Sequence, residues 1–111
     1  MIFLVFFKLL IGHALCDFPL QGDFLARGKN HKNPLPSVPW YWCLGAHALL
    51  QAGAVFYVTG SLVLALAELF LHASIDMWKS NGKINFDTDQ CLHILCKVAW
   101  CAVLLIGGPI L

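Results

Sequence analysis

Four apolar runs of roughly twenty residues dominate this sequence, and each is interrupted by polar or ionisable side chains four positions apart. The runs cover residues 1–20, 40–58, 61–78 and 89–111. At a rise of about 1.5 Å per residue, each is long enough to cross the roughly 30 Å of hydrocarbon in a bilayer. The chain of 111 residues is 59% apolar and 12% charged, against about 25% charged in an average soluble domain. A soluble protein of this size exposes too much of its surface to carry so much apolar sequence. Its formal net charge of +1 leaves no basic footprint for nucleic acid. The expectation is an all-α membrane protein: one domain, a four-helix transmembrane bundle, with the lipid bilayer as its partner.

The connections agree with that reading. Only Thr59-Gly60 separates the second and third runs, which makes them a tight antiparallel hairpin. Residues 21–39 are polar and punctuated by Pro34, Pro36 and Pro39, a loop by composition. Residues 80–88 form the other loop, with Asn81-Gly82 as a turn signal. Asp87 and Gln90 have the spacing of a capping box and predict the start of the fourth helix. The first run opens without a basic segment and carries Lys8 inside it, so it reads as a mature span rather than a cleaved signal. Arg27, Lys29 and Lys32 lie in one loop, and Lys79 and Lys83 flank the other. The positive-inside rule then makes both loops cytoplasmic and both termini external. Trp40, Tyr41, Trp42 and Trp78 lie on the same side as an aromatic belt.

Ionisable groups cost about 2.5–3.5 kcal/mol each at the centre of a membrane helix, so each needs a partner or a purpose. His13 and Asp17, His47 and Gln51, Glu68, His72 and Asp76, and Asp89, His93 and Lys97 all recur at intervals of four. That interval places each set on one helical face, turned toward the bundle interior. Counted from the cytoplasmic ends, His13, His47, His72 and His93 fall about 7–10 Å deep. Asp17, Asp76 and Asp89 form a shallower layer within about 5 Å of that interface. Glu68, Gln51 and Lys97 lie about 14–17 Å in. The echo of His13-x3-Asp17 in His72-x3-Asp76 raises a duplicated helical hairpin as one origin of the pattern.

His13-x3-Asp17-Phe18, then Glu68-x3-His72-x3-Asp76-x2-Lys79, then Asp89-Gln90-x2-His93 occur in that order along nearly the whole chain. The set resembles an uncharacterised family of small bacterial and phage membrane proteins in the domain-of-unknown-function class. The resemblance implies an integral protein of a bacterial inner membrane and singles out these polar positions; it implies no activity.

Neutral imidazoles with carboxylates are ligands for zinc, manganese or iron. His13, Asp17, His47, His72, Asp76, Asp89 and His93 are the candidate metal ligands. Seven exceed one tetrahedral site and suit two ions, or one ion with outer carboxylates orienting its histidines. A metal-bound water is a hydrolytic nucleophile, with Glu68, one turn from His72, as the candidate general base. The favoured expectation is a divalent-metal site with hydrolase activity on a membrane-borne substrate. Two alternatives stand beside it: a proton or ion relay through the titratable layers, and a ligand-free polar network in an accessory membrane protein. In the network reading Asp76 pairs with Lys79, Glu68 pairs with Lys97, and Trp100 only packs. Gly45 and Gly53 are read as close helix approaches, Gly60 as a turn, His31 as solvated, and the five cysteines as small apolar side chains. Four short helices barely enclose such a site, which makes a homodimer compatible with it.

Overall fold

A computed structural model describes residues 1–107, which are helical and contain no strand. The helices are α1 (Ile2–Asp17), α2 (Gly22–Gly28), α3 (Trp40–Thr59), α4 (Leu62–Ser80) and α5 (Phe86–Gly107). The four long ones pack in a ring, α1 against α3, α3 against α4, α4 against α5 and α5 back against α1. The bundle measures 45 × 23 × 22 Å. Of the expected four spans, α3 and α5 are long and apolar enough to cross a membrane. At 16 residues α1 is short by itself and meets that test only together with α2, from which it is bent by 83°. The sequence of α4 carries Glu68, Asp76 and Lys79, which lower its apolar character.

Local chemistry fixes the boundaries, and several differ from expectation. The run predicted over 1–20 stops at Asp17, because Pro19 has no N–H with which to continue the helix. Gln21 Nε2 donates to the carbonyl left free at Asp17, at 2.9 Å. Gly22 then turns the chain with φ of 63°, so the expected loop 21–39 contains α2. The buried Gly28 at its end lies so close to α3 that an added Cβ would sit 2.5 Å from Cys43 Sγ. Gly12 similarly faces Ala54 across the α1–α3 contact. Gly45 and Gly53, expected at close approaches, face open space instead. Gly60 makes the expected turn at φ of 71°, and Ser61 caps α4 by accepting from Leu64 N at 3.0 Å.

The fourth run also begins earlier than residue 89, at Phe86. Its cap is Asn85, whose Oδ1 accepts from Thr88 N at 2.8 Å, not the Asp87–Gln90 box. Gln90 turns inward instead. The expected extent to 111 takes in residues 108–111, which lie outside the described residues.

The interior has two storeys. At the end where α1 and α4 begin, Leu9, Val55, Leu64, Trp100 and Cys101 make an apolar core, with Ile2, Val5 and Phe6 packed against it. At the other end the interior is polar: His13, Asp17, His47, Gln51, Glu68, His72, Asp76, Asp89, His93 and Lys97 are all buried. The exterior is the reverse, with Phe3, Phe7, Leu49, Phe70 and Leu105 exposed.

Candidate metal centre

All seven candidate ligands occupy one buried cluster. His47, His72 and His93 are fully enclosed, and the least buried member, Asp17, is 8% exposed. Asp17 Oδ1 lies 3.1 Å from His47 Nε2 and 3.8 Å from His72 Nε2. His47 Nε2 and His72 Nε2 face each other at 3.0 Å. Asp76 Oδ2 lies 3.5 Å from the first of these nitrogens and 3.6 Å from the second. Its other oxygen, Oδ1, is 3.2 Å from His93 Nε2. Asp89 Oδ1 is 3.4 Å from the same nitrogen. His13 Nε2 stands at the edge, 3.1 Å from Gln90 Oε1 and 3.6 Å from Asp17 Oδ2.

The expected separation into a carboxylate layer above a histidine layer does not hold, and helix direction explains why. Side chains lean toward the N-terminus of their helix. Asp17 and Asp76 sit near the C-terminal ends of α1 and α4, so they lean inward from the polar end. His47 and His93 sit on α3 and α5, which start at that end, so they lean outward. The two layers meet in one plane, which is how Asp17 reaches His47 and Asp76 reaches His93.

A second set of contacts fixes the first. Glu68 Oε2 lies 3.1 Å from His72 Nδ1, while Oε1 accepts from Lys97 Nζ and Trp100 Nε1, each at 2.8 Å. With its Nδ1 proton held by Glu68, neutral His72 turns a bare Nε2 lone pair toward His47, Asp17 and Asp76. Asp17 accepts from Gln51 at Oδ1, at 3.0 Å, and from Gln90 at Oδ2, at 2.8 Å. The Glu68–Lys97 pair is as expected; the Asp76–Lys79 pair is not. Lys79 lies over the Phe86 ring, and Lys29 donates to Asp76 Oδ2 at 2.9 Å. Trp100 is more than packing, since its indole N–H meets Glu68. His31 is not merely solvated: it bonds Asn81 at 2.7 Å, tying the two loops together.

Three residues of the site escaped the sequence reading. Lys29 looked like loop charge, and only the break at Pro19 and the placement of α2 bring it onto Asp76. Gln90 looked like a cap. Trp100 gave no signal beyond its spacing, since residues 93, 97 and 100 share one face of α5.

Chemically, the cluster combines three properties that a cation rewards. Four buried carboxylates (Asp17, Glu68, Asp76 and Asp89) meet only two ammonium groups, those of Lys29 and Lys97. In the neutral form that metal ligation requires, the imidazoles leave two negative charges for a cation to balance. His47 Nε2 and His72 Nε2 lie 3.0 to 3.8 Å from each other, from Asp17 Oδ1 and from Asp76 Oδ2. Corners of a tetrahedron with bonds of about 2.0–2.1 Å to a central zinc stand about 3.3–3.4 Å apart. Finally, Asp17, His47 and His72 present ligand atoms within 4.8 Å of one another, as do Asp76, Asp89 and His93.

Among the curated proteins nothing matches this chain. Nor does any solved structure match it. A family model does match, over residues 5–107, and the chain belongs to that family, described as protein of unknown function (DUF3307).

Proposed function

We propose that this protein is an integral membrane protein that binds a divalent cation inside its helical bundle, at Asp17, His47, His72 and Asp76. The observation that carries the cation is the convergence of Asp17 and Asp76 on two buried imidazole nitrogens 3.0 Å apart, within a cluster of four buried carboxylates and two ammonium groups. The membrane reading rests on the inverted polarity of the bundle, with charged groups inside and Phe3, Phe7, Phe70 and Leu105 outside. The end bearing Arg27, Lys32, Lys79 and Lys83 is the cytoplasmic one.

Zinc suits the nitrogen–oxygen donor set at tetrahedral spacing; manganese and iron accept the same ligands with more open geometry. Glu68 acts by orienting His72 rather than as a general base, since both of its oxygens are engaged. A groove of about 700 Å³ lies between α1 and α3, lined by Gly12, Leu15, Leu49 and Tyr57, and contains none of the cluster. Holding an ion, not turning over a membrane-borne substrate, is the function this burial favours. A second reading has its own observation: the contacts run unbroken from Lys97 through Glu68, His72, His47 and Asp17 to Gln90 and His13. Such a chain is a proton wire when empty of metal.

Elemental analysis of full-length protein purified in detergent without chelator tests the choice. At least one equivalent of zinc, manganese or iron, lost in His72→Ala, is the expected result. Metal-free, folded wild type that conducts protons in liposomes would replace the cation site with the relay.

A further inference from the structure

We propose that the centre is dinuclear, with Asp76 bridging the ion held by Asp17, His47 and His72 to a second one held by Asp89 and His93. This rests on the metal reading and extends it. The two oxygens of Asp76 face different imidazoles: Oδ2 lies 3.6 Å from His72 Nε2, and Oδ1 lies 3.2 Å from His93 Nε2. A carboxylate placed between two nitrogen donors in this way is a bridging ligand in waiting.

The two imidazoles are also held at the right spacing. The His72 and His93 rings stack with centroids 3.9 Å apart and planes 22° from parallel. Nearly parallel rings that each offer Nε2 to an ion set those ions about one ring spacing apart. Paired catalytic metals lie about 3.5–4 Å from one another.

Asp89 supplies the independent observation. It is 3% exposed, and its Oδ1 has no hydrogen-bond partner among the described residues. A carboxylate oxygen buried without a partner is costly, and this one is aimed at His93 Nε2 from 3.4 Å. An ion between Asp76 Oδ1, Asp89 Oδ1 and His93 Nε2 satisfies it. His13 is left outside both ion sites, because its Nε2 faces Gln90 and Asp17.

The two positions differ in kind. The first has four protein ligands and is closed. The second has three, which leaves a coordination position for water. Charge also balances. With neutral imidazoles, the first ion takes Asp76 Oδ2 and sends Lys29, its partly exposed partner, to solvent, which leaves the cluster with one negative charge. The second ion turns that into one positive charge, which loss of a proton to bulk from a water it binds would cancel.

The test is stoichiometry on the full chain in detergent, equilibrated with zinc alone and freed of excess by gel filtration. Two equivalents in wild type and one in Asp89→Asn, with unchanged helical circular dichroism, are expected. In manganese-loaded wild type the electron paramagnetic resonance signal should show coupled ions, a readout that stands even where a variant fails to fold. One uncoupled equivalent in wild type would overturn the second site and leave the single-ion reading intact. No bound ion at all would overturn both. Two equivalents retained in both Asp89→Asn and His93→Gln would overturn the assignment of the second site to these residues.

Discussion

Lys29 gives the sharpest test of the cation site, because it makes removal of a positive side chain change metal affinity in a definite direction. Its ammonium lies 2.9 Å from Asp76 Oδ2, and the side chain is 14% exposed. Could it stay in place beside a bound divalent ion? At an effective dielectric of about 20, a unit charge and a divalent ion about 4 Å apart repel by about 8 kcal/mol. That exceeds what any single hydrogen bond returns, so Lys29 must swing out as the ion enters. Leaving costs it one charge-assisted hydrogen bond, about 1.5–3 kcal/mol. Each 1.4 kcal/mol is about a factor of ten in affinity. Lys29→Met should therefore bind zinc about ten- to a hundred-fold more tightly than wild type. Competition against a chromophoric chelator in detergent measures this. Lys32→Met, an exposed change in the same loop, should leave affinity within about twofold by general charge alone. Equal or weaker zinc binding in Lys29→Met would refute the idea that Asp76 serves both cations.

Other outcomes follow from the same contacts. Glu68→Gln strands the buried Lys97 ammonium and should lower stability in a detergent denaturation assay by about 3–5 kcal/mol; adding Lys97→Met should restore most of the loss, and additive effects would break the pairing argument. Gly28→Val cannot keep α2 against Cys43, so a maleimide probe that ignores the buried Cys43 in wild type should label it in the variant. Asn85→Ala removes the cap of α5 and should cost about 1 kcal/mol in the same denaturation assay, whereas Asp87→Ala should cost less.

What the sequence made legible was set by helical periodicity. The interval of four fixes a face, and the distance from a span end fixes an approximate depth, so His13, His47, His72 and His93 could be placed together before any coordinates. Periodicity says nothing about the lean of a side chain relative to a neighbouring helix that runs the other way. For that reason Asp17 and Asp76 were placed in a separate layer, although they lie among the histidines. Lys29 and Gln90 were missed for a related reason. Their roles depend on where a broken segment and a neighbouring helix come to rest, which no local pattern in residues 18–30 or 85–90 encodes. The helical class was plain from composition; of the four expected spans, two meet the length and apolarity needed, because Pro19 shortens the first and charge interrupts the third.

The order of the helices along the chain has a consequence for biosynthesis. Chain growth delivers Asp17, Glu68 and Asp76 before Gln90, His93, Lys97 and Trp100, their partners on α5. Until α5 arrives, Glu68 lacks its ammonium and indole donors, and Asp17 and Asp76 keep only Gln51, Lys29 and the histidines already made. That helix closes the ring and completes those bonds at once. A chain truncated before residue 86 lacks both that wall and the two donors that hold Glu68 Oε1, so completion of the helix set and closure of the site coincide.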